Sequence, residues 1–480
     1  MSGSRAVARA AYRRTPAPPP LHDAGGGLHG FLLAATIGFL LAMLVGSLVN
    51  IRFLPLFLAA GTLLCVAVPV IAFPVITSAA WLLVAGTSPE MWLGDLIGSD
   101  STITAVVKVI GLALLFVCML RYGGRLDRFN PSFAYMSMFV IGLMHGLWPT
   151  LTLMGSVRSL IGSAAPFAFS FSRLSRRWCD AIITATIWNP PVIIAFGALL
   201  AAAHLRPLFT GLGGAMRLQG STHPAFLGGF AATAIYAALV ELYRDGRTRN
   251  LWGIIVNYVI LVLSGARAPL AAALLVTAAA FFTLPSGPFP ARRRLPLVLL
   301  GMLVMPVLAA IATGSNSIRL LNVLSQNAEN LSGRNLIWPL FERAWNASPV
   351  FGWGIGAGKA VVDPDSLLAK LLGTTAAHNE YLRMGVDGGY FGLGLLILMI
   401  ALWAWWWTRR APRTDRFIMR AVFIAFAIHS FTDNTLIAAT ASVMFTWVSA
   451  VFARAALERE EAEEGATLVA QHDEEAAQVA

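Results

Sequence analysis

The sequence predicts an all-α, polytopic integral membrane protein of about 12 to 14 spans with one large periplasmic loop domain. Three observations predict it. Of the 480 residues, 57% are hydrophobic and only 12% are charged, against roughly 25% charged in an ordinary soluble domain. Mean hydropathy is +0.70, more apolar surface than a soluble core can hide. Apolar runs long enough to cross a bilayer recur along the chain, and arginines gather in the short links between them. Together these exclude a soluble enzyme, a disordered regulator and a nucleic-acid-binding protein, despite a net charge of +11. The basic excess follows the positive-inside rule instead.

Residues 1–29 carry Arg5, Arg9, Arg13 and Arg14, a proline-rich stretch and Gly25-Gly26-Gly27. They read as a disordered cytoplasmic arm with no cleavable signal. Residues 30–313 hold the N-terminal and central spans. The expected runs are Phe31–Val49, a Leu54–Gly86 pair, Ile103–Leu120, Phe133–Leu147, Leu151–Phe171, Ile182–Ala202, Phe226–Leu242, Trp252–Leu263, Leu270–Leu284 and Leu295–Ile311. Residues 314–386 form the external loop domain, too polar and too long for a turn. Residues 387–453 hold Gly392–Trp407, Phe417–Phe431 and Leu436–Val451. Residues 454–480 form an acidic cytoplasmic tail, helical for a turn or two. The clusters Arg121/Arg125/Arg128, Arg173/Arg176/Arg177, Arg244/Arg247/Arg249, Arg292/Arg293/Arg294 and Arg409/Arg410/Arg413/Arg416 mark the cytoplasmic side. Cys65, Cys118 and Cys179 lie far apart and imply neither a disulfide framework nor a thiolate metal site.

The chemistry-bearing residues fall in the external links. Ser332 can cap a helix in which Ile337, Trp338, Phe341 and Trp345 make one apolar stripe. Arg334 lies in its first turn, where a cation opposes the helix dipole and an anion beside the free N–H groups would relieve it. A surface arginine, or a pair with Glu329 or Glu342, is the plainer reading. Pro349 ends the helix, and Gly352, Gly354 and Gly356 alternate after it. They lack the Gly-Lys-Ser/Thr ending of a phosphate loop, so they serve close backbone approach. His378 follows, with Asn379 or Glu380 placed to orient its ring as a general base, or as a satisfied structural histidine. Arg217 stands outside against the positive-inside rule, for an anion or by snorkelling to lipid phosphate. Arg158 is an intramembrane or a surface arginine, a functional candidate if intramembrane, while His429, Asp433 and Asn434 in the last external turn read as structural.

Taken in order, Arg217-Leu218-Gln219-Gly220 before Pro224, Ser264-Gly265-Ala266-Arg267, Ser332-Gly333-Arg334 with Trp338, Pro349 with Gly352, Gly354 and Gly356, and His378-Asn379-x-Tyr381-Leu382 resemble the O-antigen ligase and O-antigen polymerase superfamily. The likeness covers roughly the second half of the chain, and Ala225 stands where the family often has Asn. It implies a GT-C-like membrane glycosyltransferase of the bacterial inner membrane, multi-pass, working on its periplasmic face. The implied donor is an undecaprenyl-pyrophosphate-linked glycan. The implied acceptor is a lipid A core for a ligase, or a lipid-linked glycan for a polymerase, with membrane lipid around it. No cofactor, metal or nucleic acid is implied. By position, the resemblance gives pyrophosphate binding to Arg217 and Arg334 and proton abstraction to His378, with Arg267, Asn379, Tyr381, Trp338 and Ser332 in support. A direct displacement would invert the anomeric centre. An O-antigen or exopolysaccharide polymerase is the alternative to a ligase. A lipid-linked glycan transporter is a third reading, disfavoured because the polar residues gather in external links rather than along the helices.

Overall fold

The computed structural model describes residues 38, 66–94, 100–212, 215–284, 334–372, 374–436 and 439–479. The expected span Phe31–Val49, most of the first half of Leu54–Gly86, the span Leu295–Ile311, Cys65, Glu329 and Ser332 lie outside the described residues. The chain divides into two compact units, Met1–Pro74 and Val75–Ala480, and the second carries every element that bears on the site.

The described elements are almost all helices, as the composition predicts. In chain order they are α1 (Pro74–Gly86), α2 (Pro89–Trp92), α3 (Asp100–Tyr122), α4 (Ser132–His145), α5 (Leu153–Ala168), α6 (Arg176–Ala202), α7 (Pro224–Asp245), α8 (Thr248–Ser264), α9 (Arg267–Thr283), α10 (Arg334–Ala347), α11 (Ala357–Ala360), α12 (Leu367–Leu372), α13 (Glu380–Thr408), α14 (Arg413–His429) and α15 (Ala439–Val479). Two short strands, β1 (Phe209–Leu212) and β2 (Ala215–Leu218), form an antiparallel hairpin that pairs Thr210 with Arg217. Among the described residues, four helices are long and apolar enough to cross a membrane: α6, α7, α13 and the first part of α15, Ala439–Thr467. Shorter apolar helices, α1, α4, α8 and α9, accompany them.

The expected runs and the helices agree closely where hydropathy is unbroken, as in α3, α4, α7 and α9. Three ends differ. Helix α6 starts at Arg176, six residues before its apolar run, because the Ser175 hydroxyl accepts from the Trp178 N–H and caps it. Helix α15 runs to Val479, far past the turn or two expected of an acidic tail. Arg459 pairs with Glu463 four residues on, the spacing at which opposite charges support a helix. Helix α13 begins at Glu380, inside the stretch read as external loop.

Packing follows the small residues. Helix α7 is buried through most of its length between α6, α8, α9 and α15. Its Gly228 sits so close to Ala266 and Ser264 that a side chain there would collide. Small residues let helices approach in lipid, where apolar burial alone gives little drive. A second core is aromatic: Phe167, Trp403, Phe445 and Phe452 interlock, with Trp403 and Phe452 rings 5.2 Å apart edge to face. Asp127 lies buried at its margin, accepting from the Trp403 Nε1 at 2.7 Å and the Trp407 Nε1 at 3.2 Å. Cys118 and Cys179 are free and buried.

The external segment folds into a cap with its own small core. Ile337, Phe341 and Ala344 of α10 pack on Ala357, Val362, Ala369, Ala377 and Val386, with Trp338 and Trp345 alongside. The predicted stripe of α10 is therefore its buried face. The glycine-rich run pins this cap to α13. Gly352, Gly354 and Gly356 all have positive φ. The chain passes Gly388 and Gly389 too closely for a Cβ at Gly352. Helix α13 is broken at Gly389, with φ 59° and ψ −164°. The Tyr390 and Phe391 N–H groups turn to the carbonyls of Pro349 (2.8 Å) and Val350 (3.0 Å), and the Trp353 N–H donates to Val386 (2.9 Å). Helix α13 has 29 residues, or about 43 Å at 1.5 Å per residue. Its first turn carries the cap and His378, and its last carries Trp405, Trp406, Trp407 and the arginines beyond.

Candidate functional site

One end of the bundle gathers residues from five separate stretches. Strand β2 supplies Arg217, the α8–α9 turn Arg267, α10 Arg334, the turn before α13 His378, and the α14–α15 turn Asp433. Arg267 and Arg334 are each the first residue of a helix. Each brings a cation to an end that already presents free N–H groups, a combination that favours a bound anion.

Arg217 lies over the α8–α9 turn, its aliphatic stem and Nε in van der Waals contact with the Gly265 position. Gly265 ends α8 with φ 65°, its N–H donating to Val262 at 3.0 Å. Arg334 donates through Nη2 to the Thr432 carbonyl at 2.8 Å, not to Glu342. Burial disfavours its charge, Asp433 supports it, and Arg267 is near enough to oppose it. The Nε–H groups of both Arg217 and Arg334 are shielded from water and meet no acceptor. Unmet buried donors are rare and costly.

His378 faces Asp433. Its Nδ1 lies 3.6 Å from Asp433 Oδ1, and its side chain is 39% exposed. Its Nε2 lies 3.3 Å from the Thr374 hydroxyl. Asp433 also meets His429 Nε2 at 3.7 Å. Burial opposes the Asp433 charge, but the bonds to His378 and His429 and the Asn434 N–H outweigh it and hold the carboxyl well below its usual range. His378 sits at φ 47°, a left-handed backbone that costs on the order of 1 kcal/mol. Neighbouring bonds fix that conformation. The Trp338 Nε1 donates to the Ala377 carbonyl at 2.8 Å. The Asn379 side chain accepts from the Tyr381 and Leu382 N–H groups. Tyr381 donates to the Ala427 carbonyl at 2.9 Å and stacks on Phe431.

The structure thus corrects the expected orienting groups. Asn379 caps α13, and Glu380 is buried against Arg383, so neither turns the His378 ring. Asp433, read as structural, faces it instead. The sequence signal was thin: Asp433 lies 55 positions beyond His378, though four after His429 in a turn on the same outer side. His223 joins this edge. It caps α7 by accepting the Ala225 N–H at Nδ1 (3.2 Å), and burial lowers its pKa, with Arg206 and His378 adding to the fall and Asp433 opposing it. Arg158 lies exposed on α5 and enters no part of the cluster. Arg267 is exposed and bonds no backbone carbonyl among the described residues. Ser332 lies outside them. Among the described residues no group of three or more His, Cys, Asp or Glu is arranged to hold a metal ion.

Compared with known families, residues 252–397 match the family described as O-Antigen ligase. The matched stretch runs from α8 through most of α13 and includes Arg267, Arg334 and His378. Arg217 and Asp433 lie outside it. No curated protein and no solved structure matches the chain. The match supports a likeness to the O-antigen ligase and polymerase superfamily and a function of that type.

Proposed function

We propose, on the premise of that O-antigen ligase likeness, that the chain moves a glycan from undecaprenyl pyrophosphate to an acceptor hydroxyl on the periplasmic face of the bacterial inner membrane. The observation that carries this reading is the pair of unmet, shielded Nε–H donors on Arg217 and Arg334 beside a histidine braced by a carboxylate. Arg217 and Arg334 bind the pyrophosphate oxygens, with Arg267 adding charge at the rim. Guanidinium forks suit phosphate oxygens because they donate in parallel pairs.

His378 Nε2 takes the proton as the acceptor oxygen attacks the anomeric carbon. The new C–O bond forms on the face opposite the breaking one, so the centre inverts. The bonding pair of the old C–O bond leaves with undecaprenyl pyrophosphate. Negative charge grows on that leaving oxygen, and the arginines stabilise the transition state more than the bound donor. Asp433 keeps the proton on Nδ1 and stabilises the imidazolium that forms. The Thr374 hydroxyl lies 3.3 Å from Nε2, and in this reading the acceptor hydroxyl takes its place. No step draws on a metal or cofactor.

The acceptor is read as a lipid A core sugar, with a lipid-linked repeat as the polymerase alternative. The test is transfer by the purified full chain from an undecaprenyl-pyrophosphate-linked glycan, offered each acceptor in turn. Wild type should release undecaprenyl pyrophosphate and lengthen one acceptor, while His378→Ala should do neither. A fully active His378→Ala protein would overturn the general-base role. Product on the lipid-linked repeat alone would replace ligase by polymerase.

A further inference from the structure

The opposite end of α13 holds a second cationic cavity, about 43 Å away along the helix. It encloses about 450 Å³ and is lined by Arg125, Arg128, Arg173, Arg410, Trp406 and Trp407, with Asp127 and Glu460 as its carboxylates. Asp127 is already committed to the Trp403 and Trp407 N–H groups and the Ser170 hydroxyl. Four guanidinium groups therefore face two carboxylates, an excess of positive charge, and one of the two carboxylates is already hydrogen-bonded.

The indoles hold these cations together. The Arg125 guanidinium lies 4.1 Å over the Trp407 ring, and Arg410 lies 4.3 Å from the Trp406 ring and 5.2 Å from that of Trp407. Arg409 covers the Trp406 ring at 3.9 Å. Cation–π contact brings like charges together but does not neutralise them. Arg125 spends its Nε on the Ser170 carbonyl at 2.9 Å, while its Nη2 is shielded from water and meets no acceptor. Arg128, Arg173 and Arg410 form no ion pair among the described residues. Burial disfavours the Arg410 charge, Arg409 and Arg459 oppose it further, and Asp127 supports it only in part. The surroundings are apolar: Leu126 is 74% exposed and Trp405 50% exposed, at the end of a membrane-length helix.

We propose that this cavity binds the phosphate of an anionic glycerophospholipid, its guanidinium groups taking the phosphate oxygens and its indoles and Leu126 the glycerol and first acyl carbons. A free phosphate would satisfy the arginines but leave the apolar rim uncovered. Basic pockets beside aromatic residues at helix ends are a recurrent way of holding anionic headgroups.

The test is lipid retention by the purified full chain in detergent, read by native mass spectrometry. The probes are phosphatidylglycerol, phosphatidylcholine with the same acyl chains, and inorganic phosphate. Wild type should keep phosphatidylglycerol at least tenfold better than phosphatidylcholine. Arg128→Gln with Arg410→Gln should remove that preference, and an unchanged unfolding temperature would show that losing the Arg410 contacts with Trp406 and Trp407 has not disturbed the fold. Arg128→Gln alone, an exposed position, should reduce it partly, and Arg249→Gln, away from the cavity, should leave it intact. Equal retention of the two lipids by wild type would overturn the proposal. So would an unchanged preference in the double variant. Inorganic phosphate displacing phosphatidylglycerol at equal concentration would overturn the lipid assignment. Glycan transfer is not part of the readout, so the result is independent of the function proposed for the other end.

Discussion

Two charged clusters flank the start of α13, and they are built on opposite terms. Arg383, Glu380 and Asp387 are buried, their side chains 2%, 3% and 0% exposed, and fully committed. Arg383 Nε meets both Glu380 oxygens at 3.1 Å, and its Nη1 meets Asp387 Oδ2 at 3.2 Å. Asp387 Oδ1 accepts the Gly358 N–H at 2.6 Å, tying the cap to the helix. Beside it, His378 and Asp433 are 39% and 30% exposed, and Arg334 and Arg217 each hold an Nε–H with no acceptor. The first cluster closes on itself and fixes shape. The second is left open, as the proposed donor site requires. Titratable residues alone do not separate the two; the fate of their last hydrogen bond does.

The comparison breaks most visibly at its catalytic side. His378→Ala should lower transfer by about 10²–10⁴-fold, the worth of a general base, with no change in thermal unfolding of the detergent-solubilised protein. A fall in stability instead would put His378 with the architectural cluster. The mirror experiment is Arg383→Ala. It should cost about 3–5 kcal/mol of stability, because Glu380 and Asp387 would be left buried and unpaired. Arg383→Met with Glu380→Met and Asp387→Asn should recover most of it, and no recovery would mean the charges themselves are needed.

Arg334→Gln should cost about 10–100-fold in kcat/KM for the lipid-linked donor, as a charged hydrogen bond is worth about 1.5–3 kcal/mol. Its stability should hold, since one bond to the Thr432 carbonyl is all it gives the fold. Asp433→Asn should cost about tenfold in kcat with little change in donor KM, as a group acting through His378 does. An equal loss in KM would assign Asp433 to Arg334 instead.

The smallest effect concerns pH. His223 caps α7 through an unprotonated Nδ1, and its folded pKa is lowered. An unfolded histidine takes a proton below about pH 6.5, while the folded one stays neutral to lower pH. Its contribution is therefore whole above about pH 6.5 and declines as pH falls below. The depressed Asp433 carboxyl has the same sign in a separate window, below about pH 4, where unfolded carboxylates protonate. His223→Asn keeps a cap and should flatten the unfolding temperature between pH 7 and 5.5, by an amount on the order of 0.5–1 kcal/mol. An unchanged slope would remove His223 from the account.

Helices were legible where their cause is local. Unbroken apolar runs mark α3, α4, α7 and α9 within a few residues. The stripe on α10 shows as spacing, and arginines outside the membrane are conspicuous because the positive-inside rule makes them so. The start of α13 was not legible. Glu380 and Arg383 fell in the stretch read as external loop, yet they open the helix, where their charges and that of Asp387 pair across one face. Asp433 facing His378 was hidden for a different reason. A contact made by bringing distant helix ends together leaves no periodicity to read.

The gap in α13 at Gly389 also constrains how the chain is made. An intact helix can enter a bilayer alone, since it satisfies its own backbone. Here the Tyr390 and Phe391 N–H groups find their acceptors on Pro349 and Val350, residues synthesised about 40 positions earlier. The helix cannot complete its hydrogen bonding until that segment has folded back against it. Cap and helix therefore mature as one cooperative step, and damage to either should be seen during biogenesis as failed insertion of both.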